Sequence, residues 1–281
     1  MLLGFGAPPT ANFDSSSSAE AGVTFIGMQS PRRSMESSRK NGESSRRTAP
    51  ASEPRPSIRA IPFGNGPAVL RLSASDREHL ASIATMMRVT AGTILCRRGE
   101  EAKAIYSIVS GTMAAYRERS DGTRRVMGFL FAEDIFGLAN RGIYVNNVKA
   151  VTPATVFRFP TESLTALLTR DAGLQFRFLC KATHILRETQ RQAIMLTRRD
   201  PVERIAMFLA QLEDAQAEKR HPEEPIELPM TRQDIADYVN LTVGSIAGAL
   251  DALEQRGLIQ RKPDGSVAVT DRRGFEAIVS G

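Results

Sequence analysis

The chain has 281 residues, of which 42% are hydrophobic and 24% charged, and its formal net charge at pH 7 is +6. The length allows two domains and a tail. No apolar run is long enough to predict a membrane-spanning segment, and the N-terminus mixes apolar and polar residues too evenly for a secretory signal. Two cysteines, Cys96 and Cys180, are too few for a disulfide framework or a four-ligand metal site. We therefore expect a cytoplasmic protein without a metal or cofactor, whose positive charge is compatible with a nucleic-acid partner.

Residues 1–60 differ in composition from the rest, because serines at 15–18 are followed by basic residues set among Ser, Pro and Gly. So little apolar surface cannot offset the entropy of ordering the chain, and the segment is predicted to be a disordered tail. Two interpretations remain open: a basic arm that adds sequence-independent affinity for DNA, and a dispensable tail with translation beginning at Met28 or Met35. The basic residues are Arg32, Arg33, Arg39, Lys40, Arg46 and Arg47.

Residues 61–170 carry the pattern of a small β domain. A short helix is predicted after Leu72, with Ser73 or Ser75 as its N-cap and Leu80 facing inward. Short alternating runs follow, separated by glycines, and Asp121-Gly122 between two of them is a strong signal for a β-hairpin. Many short strands with turns about every 8–12 residues predict a small sandwich or barrel.

Residues 171–199 are predicted to form one long helix and a hinge. Its apolar positions recur at alternating spacings of about three and four, which is typical of the seam of a coiled coil and predicts a homodimer. The alternative is a helix buried within a single chain. Cys180, beside this seam, has two interpretations, a redox-sensitive thiol and a plain helix cysteine. The predicted seam consists of Phe178, Ala182, Ile185, Thr189, Gln192 and Leu196.

A last domain is predicted at residues 200–281. Its start is marked by Asp200 as a helix cap, Pro201 in the first helical position and Glu203 three residues after the cap. Near the end of the chain, two short strands flank Pro263-Asp264-Gly265, which predicts a β-wing.

Between these features, residues 231–257 read as two amphipathic helices joined by a tight corner. Asn240 tolerates the left-handed backbone that such a corner requires, Ala236 is small where the helices must cross, and Thr242 can cap the second helix. This spacing is typical of a helix-turn-helix, whose second helix enters the major groove of DNA. The alternative is an ordinary helical hairpin.

Several segments together resemble the Crp/Fnr family of bacterial transcription regulators, nearest its FixK/Fnr-type branch, over roughly Leu72 to Ile278: GTILCRRGEEAKAIYSIVSGTMAAY, EDIFGL, MTRQDIADYVNLT and LEQRGLI. The resemblance implies an α+β fold: an N-terminal β-roll of the cyclic-nucleotide-binding type, a long dimerisation helix and a C-terminal winged helix-turn-helix. It also implies a homodimer that binds a double-stranded promoter palindrome and contacts RNA polymerase, and no enzymatic activity.

The recognition helix departs from that branch. Where relatives carry a Glu, a Ser and an Arg that read bases, this chain has Gly244, Ala247 and Gly248. Relaxed or altered specificity is therefore expected, since these residues offer no bidentate contacts. The candidate DNA-contacting residues are Thr231, Arg232, Gln233, Thr242, Val243, Gly244, Ser245, Gly248, Arg261 and Lys262.

The effector also differs from that of the best-known relatives. Those that bind cAMP use a Gly-Glu pair and an Arg-Ser or Arg-Thr pair, but here Gly137 is followed by Leu138, and Tyr144 and Val145 occupy the second place. An apolar pocket, or none in use, is therefore predicted. Two cysteines cannot hold an iron–sulfur cluster, and the three histidines, scattered along the chain, do not suggest haem.

Residues 201–281 contain nine Lys/Arg and fourteen Asp/Glu, a net charge of −5, so DNA binding must depend on where the cations lie. Two functions remain at this point: a dimeric transcription regulator, and a ligand- or protein-binding module on the same scaffold that has lost sequence-specific reading of DNA. An enzyme is not expected, because no nucleophile–base pair, phosphate loop or metal set is present.

Overall fold

The computed structural model of the protein describes residues 23–26, 72–217 and 224–280. The fold is α+β, as the resemblance implied. Its helices are α1 (Ala74–Ile83), α2 (Thr161–Arg170), α3 (Ala172–Thr197), α4 (Pro201–Gln216), α5 (Arg232–Val239), α6 (Val243–Gln255) and α7 (Arg272–Ser280). Its strands are β1 (Val23–Ile26), β2 (Thr85–Val89), β3 (Ile94–Cys96), β4 (Ala104–Ser110), β5 (Met113–Glu118), β6 (Arg124–Leu130), β7 (Ile135–Phe136), β8 (Ala139–Asn140), β9 (Ile143–Tyr144), β10 (Asn147–Ala150), β11 (Ala154–Pro160), β12 (Ile259–Arg261) and β13 (Val267–Val269).

Two antiparallel sheets make up the β-roll, with strand orders β1-β2-β11-β4-β7 and β3-β10-β5-β6. Apolar side chains from both sheets form one core, in which Ile108, Met113 and Val156 are fully buried. The predicted hairpin joins β5 to β6, where Gly122 has a φ of 78° and Asp121 accepts a hydrogen bond from the amide of Thr123 at 2.8 Å. The Asp-Gly signal therefore gave the correct turn.

Strand β1 lies within the segment that was predicted to be a disordered tail, and it corrects that prediction for residues 23–26. Residues 23–26 pair with β2 in antiparallel register, from Val23 opposite Val89 to Ile26 opposite Met86. The VTFI run at these positions has high β-propensity. The prediction of a disordered tail followed the Ser- and Arg-rich composition of the surrounding residues instead. The rest of the predicted tail, residues 1–22 and 27–60, lies outside the described residues.

Helices α1, α2 and α3 pack against the outer face of the first sheet around Leu80, Phe159 and Leu164. Ser73 caps α1 as predicted, since its hydroxyl accepts from the amide of Asp76. The long helix α3 begins after Asp171, which accepts from the amide of Leu174 at 2.9 Å. Helix α2 was not predicted.

The predicted seam of α3 faces mostly its own chain. Phe178 and Gln192 are only 8% and 5% exposed in the single chain, Ala182, Ile185 and Leu196 are half-buried, and Thr189 is exposed. A different face is apolar and exposed, and it lies roughly a third of a turn around the helix from the predicted one at about 100° per residue. Its large residues are Phe176, Leu179, Leu186 and Ile194, each more than half exposed. The helix therefore carries two apolar faces, of which the chain itself covers much of the first and leaves the second exposed.

Helices α4 to α7 and the β12–β13 wing share a second core around Phe208, Ile235 and Leu253. Asp200 caps α4 by accepting from the amide of Val202 at 2.8 Å, with Pro201 in the first helical turn, as predicted. The wing strands pair around Gly265 as the turn signal indicated. Helix α7 was not predicted.

This second core continues into the β-roll. Tyr116 of β5 and Val126 of β6 belong to it, and the ring of Phe129 of β6 packs against those of Phe208 and Tyr238, with centroids 6.3 and 5.2 Å away. Strand β6 thus packs directly on α5, the first helix of the helix-turn-helix. In the described part of the chain, no helix combines the length and apolarity needed to cross a membrane.

Candidate nucleic-acid interface

The corner between α5 and α6 has the geometry predicted from its sequence. Asn240 adopts the left-handed conformation with φ 56° and ψ 51°, and its amide donates to the carbonyl of Ala236. Ala236, which is almost fully buried, allows the two helices to approach closely. Thr242 then caps α6, because its hydroxyl accepts from the amide of Ser245 at 3.0 Å.

Helix α6 presents one buried and one exposed face. Ile246, Leu250 and Leu253 fix the helix in the core of the domain. The first two turns of the other face are exposed and carry small residues, and an added Cβ would meet nothing within 4 Å at Gly248 and only the Thr242 hydroxyl, at 3.9 Å, at Gly244. The exposed residues of these turns are Thr242, Val243, Gly244, Ala247 and Gly248, with Ser245 half-buried between them, and half-buried Asp251 and exposed Gln255 follow on the same face.

The N-terminus of α5 is exposed and carries a cation, Arg232. Thr231 and Asp234 form a reciprocal capping box, with the Thr231 hydroxyl accepting from the Asp234 amide at 3.0 Å. Arg232 and Gln233 follow at the exposed end. Among the residues that the structure describes, no carboxylate pairs with Arg232. A helix N-terminus with a free guanidinium is suited to a phosphate group.

Arg261 in the wing, predicted to contact phosphate, is instead engaged within the chain. Its Nη2 lies 2.6 Å from Glu254 Oε2 and 2.7 Å from Asp251 Oδ1, both carboxylates of α6. The amide of Arg261 also donates to Glu254, and these bonds hold the pKa of Glu254 below its usual value. Lys262 donates to Gln260 at 2.7 Å, so its charge is not neutralised by this contact.

Asp234 and Asp237 of α5 face the β-roll rather than solvent. Arg124 Nη2 lies 2.6 Å from Asp234 Oδ1 and 2.9 Å from Asp237 Oδ2, and Lys149 Nζ lies 3.3 Å from the same Asp234 oxygen. Burial opposes the charged form of Asp234, but hydrogen bonds from Thr231 and the charges of Lys149 and Arg124 lower its pKa overall. The sequence interpretation missed this cluster, because the cation and the carboxylate of each pair lie 85 to 113 residues apart and follow no common pattern.

The predicted effector residues lie at one end of a cleft of about 950 Å³ between β6, α3 and α4. Tyr144 is buried and its hydroxyl fills the space beside Ala104, accepting from that residue's amide at 3.2 Å and donating to its carbonyl at 2.9 Å. Gly137 lies against the Tyr144 ring, and Leu138 is 38% exposed. Gly137, Leu138, Tyr144 and Val145 all contribute to the lining, as do both cysteines.

Comparisons with known proteins agree with this architecture. Residues 86–171 match the cyclic nucleotide-binding domain family and residues 203–278 match the Crp-like helix-turn-helix domain. The chain is 30% identical over 209 residues to the transcriptional activatory protein AadR of Rhodopseudomonas palustris, covering 74% of this chain and 87% of AadR. It is 24% identical over 209 residues to the nitrogen fixation regulation protein FixK of Bradyrhizobium diazoefficiens, covering 74% and 88%.

A solved structure supports the same fold. FixK2 from Bradyrhizobium japonicum superposes with a TM-score of 0.64 at 23% identity, over 70% of this chain and 97% of FixK2. The fold of a β-roll, a long helix and a winged helix-turn-helix is therefore shared with FixK2. Both domain matches and the relatives lead to one assignment: this chain belongs to the Crp/Fnr family of transcription regulators, which bind DNA and are not enzymes.

Proposed function

We propose that the protein is a dimeric transcription regulator that binds promoter DNA with α6 in the major groove and the N-terminus of α5 on the phosphate backbone. The observation that carries this proposal is the shared exposure of Arg232, Gln233 and the small-residue face of α6, on a helix-turn-helix whose corner and cap are both formed. The β-roll docks against the other side of α5 and leaves this surface open.

The dimer is proposed to form through the exposed apolar face of α3, Phe176, Leu179, Leu186 and Ile194, here called the α3 stripe. The exposure of four large apolar side chains along one helix to water is unfavourable unless a partner covers them. A second copy is the natural partner, since a two-fold protein matches a two-fold palindrome and positions one recognition helix at each half-site.

Reading of bases is proposed to be relaxed. Long polar side chains each supply about 1–3 kcal/mol of discrimination through paired contacts, and neither Gly244 nor Gly248 can supply any. Thr242 and Ser245 suit phosphate, and the exposed side chain of Val243 suits a thymine methyl. Affinity would then depend mainly on the backbone contacts, including those of Arg232 and Lys262.

The signal is proposed to be neither cAMP nor cGMP, because the places of the ribose and phosphate partners hold Leu138 and Tyr144. Contact with RNA polymerase and action in the cytoplasm are proposed from family membership. A second candidate is a binding module without sequence-specific DNA reading, and the bare exposed face of α6 is the observation that favours it.

Selection of bound duplexes from a random library by the purified full-length protein tests the proposal. We expect enrichment of a palindrome with short, degenerate half-sites. The Arg232→Ala substitution should weaken binding to every duplex, and the slope of log affinity against log salt concentration should become shallower by about one. Enrichment of no motif with only weak, salt-sensitive binding would favour the binding module. A thousandfold preference for FixK/Fnr-type palindromes would contradict relaxed reading.

A further inference from the structure

The ionic cluster between the β-roll and α5 joins two cations of one domain to two carboxylates of the other. Asp234 and Asp237 have side chains only 4% and 13% exposed, and those of Arg124 and Lys149 are 25% and 22% exposed. Both cations also lie over the ring of Tyr116, at 5.7 and 5.9 Å from its centroid. The cluster therefore sums to zero charge in a partly dehydrated setting, where charge interactions are stronger than in water.

The two carboxylates lie close to the surface that is proposed to bind DNA, so their neutralisation should affect DNA binding. Asp234 caps the N-terminus of α5, and Asp237 lies one turn further along and accepts from Gln233 at 2.7 Å. Both are therefore next to the exposed end of α5 that carries Arg232. Negative charge at that end would repel phosphate, in a domain whose net charge is already −5.

We propose that Arg124 and Lys149 of the β-roll are positioning residues for DNA binding, which neutralise Asp234 and Asp237 so that the N-terminus of α5 can accept a phosphate. The inference rests on the proposed function and deepens it, because it makes part of the DNA affinity depend on residues of the sensor domain. Withdrawal of the β5–β6 hairpin from α5 would leave two carboxylates without a neighbouring cation close to the phosphate site.

Neutral substitutions test the charge directly. Arg124→Gln changes the cluster from neutral to −1, and we expect about fivefold to tenfold weaker binding of duplex DNA, regardless of its sequence. Lys149→Gln makes the same change in charge at a second position and should have a similar effect. Thermal unfolding of each full-length variant establishes that it is folded before affinity is compared.

A double variant distinguishes the effect of the cluster's charge on DNA binding from the effect of holding the two domains together. Arg124→Gln/Asp237→Asn returns the cluster to zero charge and keeps an acceptor for Gln233, so its affinity should return to within about twofold of the wild type. If Arg124 only held the domains together, the double variant would bind as poorly as the single one.

The matched control is Arg119→Gln, in the same hairpin, which removes an exposed arginine that pairs with no carboxylate among the described residues. It should leave the affinity close to that of the wild type. Unchanged or tighter binding by both Arg124→Gln and Lys149→Gln, or a loss that the double variant does not recover, would overturn the inference. Failure of the wild type to bind any duplex would instead contradict the proposed function.

Discussion

Arg261 in the wing is bound to Glu254 of the recognition helix, with the guanidinium Nη2 2.6 Å from the carboxylate Oε2. The same nitrogen lies 2.7 Å from Asp251. A cation predicted from the sequence to contact DNA is therefore paired with carboxylates of the helix that is proposed to enter the groove. This exposed pairing contributes little to stability, but it decides how much positive charge the wing offers to phosphate.

Release of Arg261 should strengthen DNA binding. Glu254→Gln removes one of the two carboxylates that hold the guanidinium and leaves it paired with Asp251 alone. Because this loosens Arg261 and lowers the negative charge beside the proposed DNA surface, we expect severalfold tighter binding and a steeper dependence of the affinity on salt concentration. Titration of a fluorescent duplex at several salt concentrations measures both. Glu276→Gln, an exposed change of equal charge on α7, is the control and should have a smaller effect. Equal tightening by both variants would show that net charge alone was responsible.

The α3 stripe should determine the oligomeric state. Leu186→Asp places a charge on a side chain that is 58% exposed in the single chain, and we expect it to convert a dimer to a monomer in sedimentation experiments at about 10 µM. Thr189→Asp places the same charge on the exposed part of the seam first predicted from the sequence. Dissociation by Thr189→Asp rather than by Leu186→Asp would restore that earlier seam.

Two helical glycines should respond to alanine with opposite sign. Gly248→Ala adds a Cβ in open space and should stabilise α6 by about 0.5–1 kcal/mol. Gly274→Ala in α7 would place a Cβ 2.5 Å from Asp271 Oδ2 and 2.6 Å from Leu258 Cδ2, so it should destabilise the domain. Urea denaturation of the full-length variants compares the two midpoints. A lower midpoint for Gly248→Ala would mean that the exposed face of α6 is covered in solution.

Calorimetry should detect no binding of cAMP or cGMP at micromolar concentrations. Tyr144 fills the position expected for the phosphate partner, and each polar group of the ligand left without a partner costs about 1–3 kcal/mol. A cAMP-binding member of the family serves as the positive control. A micromolar or tighter dissociation constant for either nucleotide would contradict this prediction.

The two cysteines should differ in reactivity. Burial raises the pKa of the Cys96 thiol to about 12, against a smaller opposing effect of its hydrogen bond with Tyr144. At pH 8 only about one Cys96 thiol in ten thousand is then ionised, so iodoacetamide should label the folded protein only at Cys180. Mass spectrometry of the wild type and of Cys180→Ser checks this. Rapid labelling of Cys180→Ser at pH 8 would mean that the β-roll opens on that timescale.

Local signals in the sequence predicted much of the fold because each depends on a few neighbouring residues. Asn240 and Thr242 determine the corner and the cap of α6 through their own backbone and side-chain preferences, and Asp121-Gly122 determines its hairpin. The charged cluster was not predictable in this way, since Arg124 and Asp234 meet only after both domains have folded. Sequence distance alone gives no indication of such a pair.

The face of α3 illustrates a different limit. The helix carries two apolar faces, and spacing identifies both without revealing which of them the chain covers itself. Phe178 and Leu186 have similar hydrophobicity, yet the first is buried against the β-roll and the second is exposed. Only the position of the first sheet and of α2 determines which face is left for a partner.

The position of the start codon determines whether the protein contains strand β1. It pairs with β2 from Val23 to Ile26, and a polypeptide initiated at Met28 would lack it. The backbone N–H and C=O groups of β2 that now bond to β1 would then form an open sheet edge, which invites pairing with another chain. Two proteins with identical DNA-binding residues would therefore differ in their tendency to self-associate.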